Sequence, residues 1–294
     1  MSTTTPPLHR QTSQTSAPTT SQKTAHRVRV EFAGQSVEFG GPGVVVIAGP
    51  CSIESESHLL NTGREIASLG AVLLRGGVFK MRTNAASFQG IGEPAFEFLP
   101  RAKSAIGLPL VCEVTDPRQI EMMLATVDMF QVGSRNMYNY ELLKELGRTD
   151  KPVLLKRAFA ATVDEWVNAA DYVVRGGNDR VVLCERGIRT FETTTRNTLD
   201  LNAVAWLKAH TSFPVVVDPS HGTGRRELVI PMALAGIAAG ADGIICEVHP
   251  VPDQALSDSA QAIDFKMFEE LVRKSRAVAA SLDRTLAVLE KGRA

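Results

Sequence analysis

Four side chains of types that bind metal ions lie at or just after apolar runs of the sequence. They are Cys51 in GPCSIES, His221 in DPSHGTGRR, Glu247 in CEVHP and Asp258 in ALSD. Singly, each could be structural, because a buried cysteine packs as a small apolar group and a carboxylate can cap a helix. Together, a thiolate, an imidazole and two carboxylates suit Mn²⁺, Fe²⁺, Co²⁺ or Zn²⁺. We therefore predict one divalent metal ion bound by these four residues, and we rank His249 below His221 as the imidazole ligand.

Basic side chains lie at or just after most of the remaining apolar runs. They are Arg75, Lys80, Arg82, Arg135, Lys156 and Arg186, with Thr83 following Arg82. Cations gathered in one cleft repel each other unless anions neutralise them, and arginine fits phosphate and carboxylate oxygens in bidentate geometry. One predicted anion site consists of Arg75, Arg135, Lys156 and Arg186, and a second consists of Lys80, Arg82 and Thr83. Two anion sites beside one metal ion indicate a reaction between two phosphorylated small molecules.

The apolar runs predict how these side chains come together. The runs are Val44–Gly49, Ala71–Arg75, Pro109–Val114, Met129–Ser134, Pro152–Arg157, Arg180–Glu185, Pro214–Pro219 and Gly243–Val248. Uninterrupted valine, isoleucine and leucine residues are typical of strands that are buried on both faces. Strand and helix alternating eight times predict an α/β fold, the (β/α)8 or TIM barrel, in which catalytic groups lie at the carboxyl ends of the strands. Because the last strand closes on the first, we expect the four metal ligands to converge at one sector of the barrel mouth.

Three segments follow from the same patterns. Residues 1–26 are rich in Ser, Thr, Gln and Pro and predict a disordered tail. Residues 27–42 predict a hairpin that closes the amino-terminal end of the barrel, because Val28–Phe32 and Gln35–Phe39 alternate around a short turn. Residues 43–294 are expected to form a single catalytic barrel. Its predicted helices are Ser57–Leu69, Pro94–Ile106, Arg118–Thr126, Glu141–Leu146, Thr162–Val174, Thr198–His210, Glu227–Ala239 and Phe265–Glu290.

Composition narrows the class of protein. The 294 residues include 32 basic and 32 acidic side chains, so no general attraction to nucleic acid or to membranes is expected. No apolar run approaches the roughly 20 residues of a membrane span. The four cysteines lack a disulfide spacing, and alternation turns Cys246 away from the lumen if Glu247 faces it, so a bond between Cys51 and Cys246 is disfavoured. We expect a cytoplasmic homo-oligomer, a dimer or tetramer, that acts on phosphorylated small molecules.

Several of these segments carry a resemblance to a known family. GPCSIES, SFQGIG, RNM, LLKR, LCERGIRTFE, RNTLD, DPSHGTGRR, EVHP and ALSD occur in this order over about residues 44–268. In order and spacing they resemble the 3-deoxy-D-arabino-heptulosonate 7-phosphate (DAHP) synthase family, in the shorter form related to the octulosonate 8-phosphate synthases. The resemblance implies a metal-dependent condensation of phosphoenolpyruvate with erythrose 4-phosphate, the first step of the shikimate pathway of aromatic amino acid biosynthesis.

The resemblance also implies a role for each site residue. Cys51, His221, Glu247 and Asp258 would bind the metal; Arg75, Lys80, Arg135, Lys156 and Arg186 would bind phosphoenolpyruvate; Arg82 and Thr83 would bind the aldose phosphate. Lys80 would lie near the reacting carbons as a candidate acid, and Cys51 and His221 would serve catalysis through the metal.

The chain departs from the family pattern at several positions, and its departures in one loop keep alternative functions open. Met81 and Asn84 stand where the family usually has the Pro and Ser of Lys-Pro-Arg-Thr-Ser. A paralogue of secondary metabolism that uses a modified aldose phosphate is therefore one alternative. A Schiff-base aldolase with Lys80 or Lys156 as nucleophile is another, and a non-catalytic phosphometabolite-binding protein is a third. The complete set of metal ligands favours the synthase.

Overall fold

A computed structural model describes residues 26–82 and 84–291 of the chain. Apart from His26, the predicted tail lies outside the described residues, and so does Thr83. None of the helices in the described part of the chain combines the length and the apolar character needed to cross a bilayer.

The core of the described chain is a closed barrel of eight parallel strands. After the hairpin strands β1 (Val28–Phe32) and β2 (Gln35–Phe39) come β3 (Gly43–Gly49), β4 (Leu73–Arg75), β5 (Leu110–Val114), β6 (Met129–Val132), β7 (Val153–Lys156), β8 (Val181–Glu185), β9 (Val215–Val217) and β10 (Gly243–Glu247). Each barrel strand pairs with the next, and β10 pairs with β3, which places Glu247 beside Gly49. The predicted (β/α)8 barrel and its eight strands are confirmed.

Side chains of the barrel strands alternate between the lumen and the surrounding helices. Val45 and Ile245 belong to the cluster inside the barrel, whereas Val46 and Cys246 belong to the cluster between the strands and the helices. Since successive side chains of a strand point to opposite faces, Glu247 shares the lumen side with Ile245. Cys246 therefore points away from the lumen as predicted, and the four cysteines are free thiols.

The hairpin closes one end of the barrel, as predicted. Its inward side chains Val28, Val30 and Phe39 are buried in the same cluster as Val45 and Met129, which lie near the starts of β3 and β6. The hairpin therefore covers the amino-terminal end of the lumen and leaves the opposite end for the site.

Helices connect the strands. They are α1 (Glu56–Leu69), α2 (Leu99–Ile106), α3 (Ile120–Leu124), α4 (Tyr140–Gly147), α5 (Val163–Arg175), α6 (Leu201–His210), α7 (Pro219–Thr223), α8 (Arg226–Ala238) and α9 (Phe265–Ala280). The predicted helix at 94–106 is divided into a 3₁₀ turn and α2, and the one at 118–126 begins with a 3₁₀ turn. Helix α6 starts three residues later than predicted because Asp200 caps it, accepting a hydrogen bond from the Ala203 N–H (3.0 Å). Helix α7 was not predicted.

The prediction that the last helix continues to Glu290 is wrong. Helix α9 ends at Ala280, and the chain turns through Asp283, whose φ is 55°. It then forms β11 (Thr285–Leu286), parallel to β3, and β12 (Glu290–Lys291), antiparallel to β2. The half-buried Ala287 and Leu289 pack against the cluster inside the barrel. Pairing with two existing strands therefore overrides the helical propensity of this segment.

Candidate active site

The carboxyl ends of the barrel strands surround a cavity of about 240 Å³. Its lining includes every predicted cation of the described chain, namely Arg75, Lys80, Arg82, Arg135, Lys156 and Arg186. His221 and Asp258 line the same cavity, whereas Thr83 lies outside the described residues. The structure thus brings the predicted anion-binding residues and part of the predicted metal site into one cavity.

The four predicted metal ligands lie close together, and we call them the four-donor cluster. Each of Cys51, His221, Glu247 and Asp258 offers one ligand atom within 4.8 Å of the other three. The Cys51 thiol donates a hydrogen bond to Asp258 Oδ2 (3.0 Å), and His221 Nε2 lies 3.3 Å from Glu247 Oε1. These distances place three strand ends and one loop around a volume that a single cation can fill.

Different local structures hold the four donors. Glu247 is the last residue of β10, and Cys51 follows β3 by two residues. His221 lies in α7, whose start is capped by Asp218 through the His221 N–H (3.0 Å). Asp258 lies in the loop after β10 with a φ of 54°, a left-handed conformation that aspartate tolerates better than most residues. The loop conformation turns this carboxylate toward Cys51.

Asp218 also sets the protonation of His221. Its Oδ2 accepts a hydrogen bond from His221 Nδ1 (2.8 Å) and pairs with Lys156 Nζ (2.6 Å). Burial opposes ionisation, but His221 and Lys156 hold the pKa of Asp218 well below its usual range, so it is a carboxylate that can only accept. Burial lowers the pKa of His221 to about 4. The neutral ring therefore carries its proton on Nδ1 and presents a lone pair at Nε2, as metal-binding histidines do.

Glu247 offers one oxygen in the same direction. Its Oε2 accepts a hydrogen bond from Gln261 Nε2 (2.7 Å), whereas the buried Oε1 accepts no hydrogen bond from the described residues and lies 3.3 Å from Arg75 Nη1. Burial opposes ionisation of Glu247, but the Arg75 guanidinium beside it lowers its pKa, so it is a carboxylate. A buried, ionised oxygen that accepts no hydrogen bond and faces an imidazole lone pair fits a cation ligand.

Positive charge already lies against this cluster. The Lys80 ammonium group contacts Cys51 Sγ and lies 3.3 Å from Asp258 Oδ2. Burial, and after it the Glu247 charge, raises the pKa of the Cys51 thiol far above its ordinary value, and a divalent cation would reverse this by binding the thiolate. The donor set, its hydrogen bonds and its charge therefore fit a divalent metal ion.

The opposite side of the cavity is cationic. Arg186 is buried, and burial lowers its pKa to about 10 because neighbouring acids do not fully offset the cost of desolvating the guanidinium. Its guanidinium lies 4.7 Å from the ring centre of Phe159, and that of Arg135 lies 5.4 Å from the same ring. Lys156 is held by Asp218. A bound anion would place negative charge beside the Arg186 guanidinium and so stabilise its charged form.

Several residues of the site were not assigned a role from the sequence. They are Asp218, Gln261, Arg196 and Phe159, of which Arg196 and Phe159 line the cavity. Asp218 could have been identified, because Asp-Pro three residues before His221 is typical of a helix start. We find no local sequence signal for Gln261.

His249 does not join the four-donor cluster, in agreement with its lower rank. It lies with Glu54 and His58 in a second group, the two-histidine cluster, whose candidate ligand atoms are also within 4.8 Å of one another. His249 Nε2 is 3.6 Å from Glu54 Oε2, and the two imidazole rings are 4.6 Å apart.

Known proteins are similar in sequence to this chain over most of its length. Residues 23–283 match the sequence model of the DAHP synthetase I family. A phospho-2-dehydro-3-deoxyheptonate aldolase of Thermotoga maritima is 46% identical over 246 residues, which cover 84% of this chain and 73% of that protein. A 2-dehydro-3-deoxyphosphooctonate aldolase of Syntrophotalea carbinolica is 32% identical over 261 residues, covering 82% of this chain and 93% of that protein.

Solved structures share the fold. The crystal structure of the Thermotoga maritima DAHP synthase has a TM-score of 0.83 and 43% identity, covering 88% of this chain and 75% of that chain. A truncated form of the 3-deoxy-D-arabino-heptulosonate 7-phosphate synthase from the same organism has a TM-score of 0.80 and 41% identity, covering 88% of this chain and 94% of that chain.

Proposed function

Because the chain belongs to the DAHP synthetase I family and is a transferase, we propose that it condenses phosphoenolpyruvate with erythrose 4-phosphate. The products are 3-deoxy-D-arabino-heptulosonate 7-phosphate and inorganic phosphate. The observation that carries the proposal is the four-donor cluster at the edge of a cavity lined by seven lysine and arginine side chains. Two anionic substrates and one metal ion would satisfy both halves of this site.

Phosphoenolpyruvate would bind on the cationic side. Arg135, Lys156 and Arg186 form a group held by Phe159 and Asp218, and Arg75 lies between this group and Glu247 (Arg75 Nη1 to Glu247 Oε1, 3.3 Å). Charge-assisted hydrogen bonds from guanidinium groups are among the strongest available to phosphate and carboxylate. These residues would orient the enol carbon toward the second substrate and so lower the entropic cost of the reaction.

The aldose phosphate would bind beside Asp258. Arg82 lies 3.5 Å from Asp258 Oδ2, and Met81 and Asn84 line the cavity next to it. Because Met81 and Asn84 replace the usual residues of this loop, a modified aldose phosphate is a second candidate acceptor. The metal held by Cys51, His221, Glu247 and Asp258 would supply Lewis acidity to the aldehyde carbonyl.

Lys80 would act as the proton donor. Burial opposes its charge, but the Glu247 and Asp258 carboxylates raise the pKa of Lys80, so the side chain is an ammonium group. The enol carbon of phosphoenolpyruvate forms the new bond with the aldehyde carbon, and Lys80 protonates the aldehyde oxygen as it becomes a hydroxyl group. Water then adds at C2, and one of its protons returns to Lys80, which gives a hemiketal phosphate. Cleavage of the C2–O bond releases phosphate, and the remaining C2 hydroxyl passes its proton to the leaving phosphate as it becomes the ketone. A Schiff-base aldolase needs a neutral lysine, and the raised pKa of Lys80 disfavours that form.

A phosphate-release assay tests the proposal and identifies the acceptor. The protein is dialysed against a chelator, supplied with Mn²⁺ or Co²⁺, and given phosphoenolpyruvate with a panel of aldose phosphates. We expect phosphate release with erythrose 4-phosphate, no release without an aldose, and no release in excess chelator. Full activity in excess chelator would reject the metal role, and faster release with a different aldose would replace erythrose 4-phosphate as the acceptor.

A further inference from the structure

Gln261 connects the two carboxylate ligands of the four-donor cluster. This side chain is 2% exposed, its Nε2 donates to Glu247 Oε2 (2.7 Å), and its Oε1 accepts from Arg196 Nη1 (2.8 Å). The same Arg196 nitrogen donates to Asp258 Oδ1 (3.2 Å). One buried amide thus joins Glu247 to Asp258 through a guanidinium group that lines the cavity.

The loop after β10 places Gln261 opposite Glu247. The Gln261 N–H donates to the carbonyl of Asp258 (3.1 Å), which closes a turn, and the Ile263 N–H donates to the carbonyl of Glu247 (2.9 Å). Ile263 also forms a parallel bridge with Val248. The segment therefore runs back along the end of β10, and the position of Gln261 is fixed by the backbone.

The chemistry of the two neighbours determines the orientation of the amide. The Glu247 carboxylate only accepts hydrogen bonds and the Arg196 guanidinium only donates them, so a group with one donor end and one acceptor end is required. A glutamate at this position could still accept from Arg196 but could not, when ionised, donate to Glu247. A methionine of similar size could do neither.

We propose that Gln261 is a positioning residue that presents Oε1 of Glu247 to the metal and holds Arg196 at the cavity. Its hydrogen bond engages Oε2, so the oxygen left facing His221 Nε2 (3.3 Å) is Oε1, a buried atom that accepts no hydrogen bond from the described residues and lies 3.3 Å from Arg75 Nη1. The inference rests on the proposed metal role of the four-donor cluster. In this role Gln261 orients the metal ligands and does not contact the reacting atoms.

Cobalt titration of chelator-treated protein tests this role. The variants are Gln261→Glu and Gln261→Met, and the control is Asn178→Leu, which removes another buried amide that donates to the carbonyls of Leu146 (3.2 Å) and Lys151 (2.8 Å) far from the site. Loss of a residue that orients a metal ligand weakens binding by about 10- to 100-fold. We expect both Gln261 variants to raise the Kd for Co²⁺ by this factor, and Asn178→Leu to lower the thermal midpoint while leaving the Kd unchanged.

The two variants also separate the two ends of the amide. Gln261→Glu keeps the acceptor for Arg196, so we expect a smaller change in the KM for the substrates than in Gln261→Met. If one variant does not fold, the other decides the result. Wild-type protein that binds no Co²⁺ would reject the metal role itself. Wild-type protein that binds Co²⁺ with the same Kd as a folded Gln261 variant would overturn the inference about Gln261 alone.

Discussion

Two clusters of this protein look alike by composition and differ in their surroundings. The four-donor cluster and the two-histidine cluster each combine imidazole and carboxylate groups, and in each the candidate ligand atoms lie within 4.8 Å of one another. Both draw residues from the carboxyl ends of β3 and β10 and the segments that follow them, and the four-donor cluster adds His221 from the helix after β9. A count of donor atoms alone would therefore assign a metal ion to both.

The two clusters differ in the hydrogen bond that Nδ1 of the histidine makes, in His221 and in His249. His221 Nδ1 donates to Asp218, which leaves Nε2 with a lone pair. His249 Nδ1 instead accepts a hydrogen bond from the Val251 N–H (3.1 Å). A neutral imidazole carries one proton, so that of His249 is on Nε2, the nitrogen that faces Glu54. Because a metal ligand needs a lone pair, His249 is unsuited to the role that His221 can take.

The two-histidine cluster instead forms hydrogen bonds that hold the loop after β10 in place. Glu54 Oε1 accepts a hydrogen bond from the Leu256 N–H (2.8 Å), and His249 holds the Val251 N–H. Both contacts fix the segment between β10 and Asp258, so this cluster supports the loop that carries one of the four donors. The difference shows that the neighbours of a histidine, more than the number of nearby ligands, decide whether it can bind a metal ion.

Replacement of the two histidines tests the comparison most strongly. We expect His221→Ala to abolish Co²⁺ binding and to slow phosphate release by about a thousandfold or more, because a catalytic metal supplies several kcal/mol of transition-state stabilisation and each ~1.4 kcal/mol is tenfold in rate. We expect His249→Gln to keep one Co²⁺ per chain. Cobalt content and phosphate release measured on each purified variant check both outcomes. Two ions per wild-type chain, one of them lost in His249→Gln, would break the comparison.

Asp218→Asn should make His221 resemble His249. An amide can donate to Nδ1 and so favour the tautomer with the proton on Nε2, for which we expect the Kd for Co²⁺ to rise by about 10- to 100-fold. The substitution also leaves the buried Lys156 without its carboxylate, which costs about 3–5 kcal/mol of unfolding free energy. Cobalt titration and denaturant unfolding measure the two effects separately.

A second buried pair provides the control for Asp218→Asn. Asp128 pairs with Lys103 Nζ (2.9 Å) and accepts from the Leu110 N–H (2.7 Å) at the amino-terminal end of the barrel. Asp128→Asn should destabilise the fold by a similar amount and leave the Kd for Co²⁺ unchanged. Equal losses of cobalt affinity in the two variants would mean that the affinity follows stability and not the tautomer of His221.

The barrel and the four-donor cluster were predictable because both depend on local signals. Each strand is a short apolar run, and each metal ligand lies at the end of such a run or in the segment that follows it. Barrel closure then brings the ends of β3, β9 and β10 together without any further information. The same logic placed Arg75, Lys156 and Arg186 in one cavity.

The hydrogen bonds that distinguish the two clusters were not predictable in this way. Glu54 and Leu256 are 202 positions apart, and Gln261 meets Glu247 only because the loop folds back along β10. The predicted end of the last helix was wrong for a related reason. Residues 281–290 have a composition that suits a helix, and only their pairing with β3 and β2 makes strands of them.

The smallest expected effect is on the unfolding free energy at acidic pH, to which the histidines of the two clusters contribute separately. Burial, and after it the neighbouring His249, lowers the pKa of His58 below its ordinary value of 6.5. In the unfolded chain His58 gains a proton near pH 6.5, whereas in the folded protein it resists protonation. The unfolded state therefore binds more protons below about pH 6.5, and the unfolding free energy falls as the pH falls.

His58→Gln removes this contribution, which amounts to about 1.4 kcal/mol per unit of pKa difference. We expect chelator-treated His58→Gln to lose less unfolding free energy than wild type between about pH 7.5 and about pH 5, as measured by denaturant unfolding at both values. His221, whose pKa is lowered to about 4, is present in both proteins and contributes the same slope to each. Identical losses in the two proteins would show that His58 titrates alike in the folded and unfolded chains.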